Sequence, residues 1–119
     1  MASRIVSLPI DCADPEKLAA FWSEVLGWKI VNRGTYGVSI GHDGPLEIDF
    51  RVVPDEKQTK NRLHLDINPT DRDQAEELDR LLALGAKPVD VGQAADVSWH
   101  VLADPEGNEF CLCRKRVDP

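Results

Sequence analysis

The chain has 119 residues, 42% of them hydrophobic, with 14 Lys+Arg against 21 Asp+Glu for a formal net charge of −7. That size and apolar share suit one compact domain whose core needs no metal or disulfide staple, and the acidic balance sets up a field that repels nucleic acid and anionic membrane surfaces. No apolar run nears the ~20 residues of a membrane span, the start MASRIVSLPIDC has no signal-peptide pattern, and three cysteines are an odd count for a disulfide framework, so a cytoplasmic setting is expected.

From Ile5 to Cys12 the residues alternate. Val6, Leu8, Ile10 and Cys12 share one face, and Ser7, Pro9 and Asp11 the other, which predicts a strand with one buried side. Asp14-Pro15-Glu16 then supplies an N-cap, a proline at the first helical position and an acid at the positive dipole end. Leu18, Phe21, Trp22, Val25 and Leu26 follow at helical spacing, and Gly27 stops the helix. Strands are predicted over 29–32, 36–41 and 46–53, with a turn at His42-Asp43-Gly44-Pro45. Residues 54–62, PDEKQTKNR, hold no large apolar side chain and read as a linker.

The pattern then restarts. Leu63, Leu65 and Ile67 alternate with His64, Asp66 and Asn68. Thr70 or Asp71 is expected to cap a second helix with the stripe Ala75, Leu78, Leu81 and Leu82, closed by Leu84-Gly85. Strands are predicted over 88–91, 97–102 and 109–114, the last two joined by the turn Asp104-Pro105-Glu106-Gly107-Asn108. Asp14 maps onto Asp71 and Leu26-Gly27 onto Leu84-Gly85 at nearly one offset. The chain therefore reads as an internal duplication, an α+β domain over 1–119 made of two tandem βαβββ modules, about 1–53 and 63–116.

If the apolar face of each sheet covers its helix, the other face collects Ser7, Pro9, Asp11, Glu47, Asp49, Arg51, His64, Asp66, Asn68, Glu109, Cys111 and Cys113. Trp99 and Val101 join them, unless a one-residue slip puts Ser98 and His100 there instead. A sheet with one side in water needs no function. The apolar members and the sheet twist favour a concave ligand site. The candidate pocket is Ser7, Asp11, Glu47, Asp49, Arg51, His64, Asp66, Trp99, Val101 and Cys111. Its acids point to a cationic or amine-bearing small molecule, with Arg51 paired to Asp49 or Asp66. Cys111 and Cys113, two apart on one strand, are too constrained for a favourable disulfide and read as small buried side chains.

The runs ADPEKLAAFWSEVLGW, PLEIDF, LHLDI and WHVLADPEGNEFCLC resemble the vicinal oxygen chelate superfamily over essentially the whole chain. That group includes glyoxalases, extradiol dioxygenases, fosfomycin-modifying enzymes and bleomycin-binding resistance proteins, and the small glyoxalase-like branch is the most similar. The resemblance implies a U-shaped mixed sheet with the helices on its outer face, homodimers, and a metal ligand on the first and last strand of each module. Those positions correspond to Ser7, Glu47, His64 and Cys111. Ser7 is a poor divalent ligand, and Cys111 stands where a carboxylate usually binds metal and moves a proton. The expectation is therefore a binding or sequestering protein with no cofactor. The alternatives are a lyase holding zinc, nickel, manganese or iron on Glu47, His64 and Cys111, and a non-catalytic interaction module.

Overall fold

The computed structural model describes residues 2–119. They fall into two compact units, one reaching to Glu56 and the other spanning Lys57–Pro119. In the first, β1 (Ser7–Cys12), α1 (Pro15–Leu26), β2 (Lys29–Gly34), β3 (Gly37–Gly41) and β4 (Glu47–Val52) form a four-stranded sheet of order β1-β4-β3-β2. In the second, β5 (Leu65–Ile67), α2 (Gln74–Leu84), β6 (Lys87–Pro88), β7 (His100–Ala103) and β8 (Glu109–Leu112) repeat the order as β5-β8-β7-β6. In both, the first strand pairs in parallel with the last and the other pairs are antiparallel. The fold is α+β, built from two βαβββ modules.

Helix α1 starts where its sequence says. The Asp14 carboxylate accepts the Lys17 N–H at 3.1 Å, Pro15 takes the first turn, and Gly27 closes the helix in the left-handed region. Leu18, Ala19, Phe21, Trp22 and Val25 are buried along the helix, as are Val38, Ile40, Ile48 and Phe50 on the strands it packs against. Burying a side chain the size of Phe50 is worth roughly 2–3 kcal/mol over leaving it in water. The tight β3–β4 pairing depends on Gly37, which sits at φ 143° with the Phe50 carbonyl oxygen 1.8 Å from where a Cβ would stand.

Helix α2 corrects one expectation. Its N-cap is Asp73, neither Thr70 nor Asp71: Asp73 and Glu76 form a reciprocal capping box, and Asp71 is taken up by Arg72 at 2.9 Å. Of the predicted stripe, Leu81 is fully buried and Leu78 half-buried, while Ala75 and Leu82 are exposed. Leu63 and Val52 are also exposed, Leu63 because it lies outside β5 and Val52 because it ends β4. The strands expected over 88–91 and 97–102 shrink to β6 and β7, leaving residues 89–99 as a loop. Part of the expected linker is anchored. Lys57 Nζ and the Asn61 backbone N–H each donate to the Glu109 carboxylate at 2.8 Å, which ties 57–61 to β8.

Candidate functional site

Register, set by backbone pairing, decides which side chains share a face. In the first unit Ser7 neighbours Glu47, Pro9 neighbours Asp49 and Asp11 neighbours Arg51, so the expected polar set is assembled there. Two of its members, Asp49 and Arg51, are engaged by residues outside it, Ser39 and Tyr36. Ser39, itself buried, donates to Asp49 Oδ1 at 2.7 Å and shares a hydrogen bond with the Tyr36 hydroxyl. The expected Arg51–Asp49 pair does not form. The Arg51 guanidinium lies over the Tyr36 ring, 5.8 Å from its centroid, and Asp49 takes the Ser39 hydroxyl instead.

In the second unit Asp66 on β5 and Val101 on β7 both neighbour Cys111 on β8. The register that puts Trp99 and Val101 on the polar face is the one realised: His100 falls opposite Leu112, in the other parity. A short turn fixes the position of β8. One oxygen of the buried Asp104 accepts the backbone N–H groups of Glu106 and Asn108, and the Asn108 side-chain amide donates to both oxygens. This face carries a cleft of about 480 Å³, lined by His64, Asp66, Trp99, Val101, Cys111 and Cys113 among others.

Three donor atoms converge in the cleft. One ligating atom each of His64, Asp66 and Cys111 lies within 4.8 Å of the other two, and His64 Nδ1 stands 3.3 Å from Asp66 Oδ1. Burial first, then the Asp66 charge, raises the pKa of the Cys111 thiol above its ordinary value; Cys113 and a hydrogen bond to Asp66 push the same way. Cys113 is raised by the same two leading causes. Both cysteines are half-buried and line the cleft, so the expected pocket position of Cys111 holds, while neither is the fully buried small side chain also expected. Glu109 is spoken for. Burial works against its charge, but Lys57 and the Asn61 N–H outweigh that and hold its carboxyl below the usual range.

The sequence reading missed Lys60, Val91, Gly92, Gln93 and Phe110 as lining residues. Residues 91–93 come from the loop that replaces a longer β6, and no periodicity marks them. The loop is braced by Gln93, which accepts the Val91 N–H at 2.9 Å and donates to the Val89 carbonyl at 3.1 Å. Ser7, Asp11, Glu47, Asp49 and Arg51 belong to the first unit, and His64, Asp66, Trp99, Val101 and Cys111 to the second.

An imidazole, a carboxylate and a thiol form a donor set that a divalent ion such as zinc accepts, so the chemistry of His64, Asp66 and Cys111 fits a metal. These features define a class: small α+β proteins of paired βαβββ modules with a polar-lined cleft on the sheet. The chain belongs to the glyoxalase-like domain family, whose model matches residues 7–113, and through it to the vicinal oxygen chelate superfamily. No curated protein sequence matches it significantly. Solved structures match its fold. A glyoxalase/bleomycin resistance protein/dioxygenase family enzyme from Burkholderia phytofirmans is 21% identical with a TM-score of 0.68, covering 92% of this chain and 97% of its own. A mutant of the genomically encoded fosfomycin resistance protein from Listeria monocytogenes, complexed with Mn(II) and 1S,2S-dihydroxypropylphosphonic acid, is 17% identical with a TM-score of 0.74 over 95% and 90%. A glyoxalase-related enzyme from Fulvimarina pelagi is 18% identical with a TM-score of 0.67 over 93% and 87%. At such identities the likeness is one of fold.

Proposed function

We propose that the protein binds a small molecule in the cleft of its second unit and acts by holding that molecule rather than by isomerising it. The observation that carries this reading is the cleft itself: an apolar lining of Val91, Trp99, Val101 and Phe110 beside a compact polar group of His64, Asp66 and Cys111. An open volume of about 480 Å³ argues against an interaction module whose cavity its own side chains fill. The preference for a cationic or amine-bearing ligand rests, within this cleft, on Asp66 set against the lining Lys60, since Lys57 neutralises Glu109. Homodimers belong to the same reading, as does a cytoplasmic setting, which three free cysteines suit; no helix among the described residues is long and apolar enough to cross a membrane.

Isomerisation by a metal-dependent lyase is the second reading, favoured by the convergence of His64, Asp66 and Cys111. A divalent ion bound there would polarise paired substrate oxygens. The proton-moving carboxylate is what the chain lacks at Cys111. As a ligand of the ion, its sulfur would be a thiolate engaged with the metal and a poor base for the substrate. Asp66 would have to take that role.

The test is a ligand screen read by thermal shift and by the fluorescence of Trp99, which is 42% exposed while Trp22 and Trp28 lie in the first unit. The library includes aromatic amines and dihydroxypropylphosphonic acid. A binder at 100 times its Kd should stabilise the fold by about 2.7 kcal/mol. Trp99→Ala should weaken it about tenfold, the value of one lost aromatic stack. A screen without binders, or binders indifferent to Trp99→Ala, overturns the reading. Metal-supported turnover abolished by Asp66→Asn would establish the lyase instead.

A further inference from the structure

We propose that His64, Asp66 and Cys111 form a metal site contained in the second unit alone, and that this site selects zinc-like ions over hard ions such as Mn(II). The site shares the cleft of the proposed ligand but stands on its donor atoms, so either reading can fail without the other.

Geometry comes first. Asp66 and Cys111 are cross-strand neighbours in the parallel β5–β8 pair, and parallel register sends both side chains to the same face. His64 precedes Asp66 by two residues and so has the same parity. All three donors lie within 4.8 Å of one another. Tetrahedral zinc, with bonds of about 2.0–2.3 Å, sets its ligand atoms roughly 3.3–3.7 Å apart. Closing the difference takes small rotations of His64 and Asp66, whose side chains are 41% and 59% exposed. Cys111, held by β8, supplies the fixed point. The group offers three protein ligands and leaves a fourth position to water or substrate, the pattern of an open zinc site.

Selectivity follows from the sulfur. Carboxylate and water ligands suit Mn(II), whereas thiolate and imidazole favour zinc, and the general affinity order of divalent ions runs the same way. The donor composition of this cleft is therefore written for a thiophilic ion. Cys113 also lines the cleft but lies outside the three-donor group, which makes it an internal reference.

The experiment is Co(II) titration of the intact, reduced protein, followed by competition with Zn(II) and Mn(II). A thiolate-to-cobalt charge-transfer band should appear, be displaced stoichiometrically by Zn(II) and resist excess Mn(II). Changing a partner that merely orients a ligand costs about 10–100-fold in affinity, so removing a ligand should cost at least a hundredfold. Cys111→Ser should abolish the band, His64→Ala and Asp66→Asn should weaken binding by that factor, and Cys113→Ser should keep both. Because His64 and Asp66 are exposed, these two variants fold whatever becomes of Cys111→Ser. Cys111→Asp should shift preference toward Mn(II), read from the loss of the free Mn(II) paramagnetic resonance signal. The proposal falls if no band forms, if the band follows Cys113 instead of Cys111, or if wild type holds Mn(II) as tightly as Zn(II).

Discussion

The two units share one strand order and differ in what they do with the face turned away from their helix. In the first, Ser39 links the Tyr36 hydroxyl to Asp49 and Arg51 lies over the Tyr36 ring, so Asp49 and Arg51 are spent on neighbours in the same sheet. In the second, Glu109 is spent on Lys57 and Asn61, but His64, Asp66 and Cys111 converge on a cleft. Edge strands explain part of the difference. β2 has six residues and runs the length of its sheet, whereas β6 has two, and the loop after it lends Val91, Gly92 and Gln93 to the lining. The duplicated scaffold thus gathers a three-donor group on a cleft in the second copy, while in the first Asp49 and Arg51 are engaged by Ser39 and Tyr36.

The comparison can be broken most severely at Gly37. An alanine there meets the Phe50 carbonyl at 1.8 Å and keeps a φ that L-residues rarely adopt, so Gly37→Ala should cost more than about 3 kcal/mol in denaturant unfolding. A loss under 1 kcal/mol would mean that the first unit's hairpin is not as rigid as its register implies. Ser39→Ala comes next. It leaves Asp49 and Tyr36 short of a partner and should cost about 1–2 kcal/mol in the same assay; a neutral outcome would show that this face is no more committed than that of the second unit.

The smallest effect sharpens the second unit. Lys57→Ala removes a half-buried ion pair and should cost about 1 kcal/mol or less at neutral pH. Glu109 is held below its ordinary pKa in the folded protein, so its contribution is complete above the unfolded carboxyl value and fades as pH falls through the lower folded one. Wild type and Lys57→Ala should therefore differ in melting temperature near neutrality and converge in strong acid. A gap that widened on acidification would contradict the pairing.

Local chemistry was legible in the sequence. The α1 cap and stop, the Asp104 turn and the parity that sends Asp66, Val101 and Cys111 to one face all follow from neighbours a few residues apart. The α2 cap, expected at Thr70 or Asp71, lies at Asp73, because Asp71 pairs with Arg72 while Asp73 forms a reciprocal box with Glu76. Helical and strand periods are short-range, so a linear chain displays them directly.

Partnership across the fold was not legible. Glu109 belonged by parity with the free acids, yet Lys57, 52 positions away in sequence, claims it. Asp66 looked like one carboxylate among many until the β5–β8 register set it beside Cys111. Which polar groups end satisfied and which remain open depends on strand pairing and loop course. Those are fixed by contacts between distant residues, and only the folded chain brings them together.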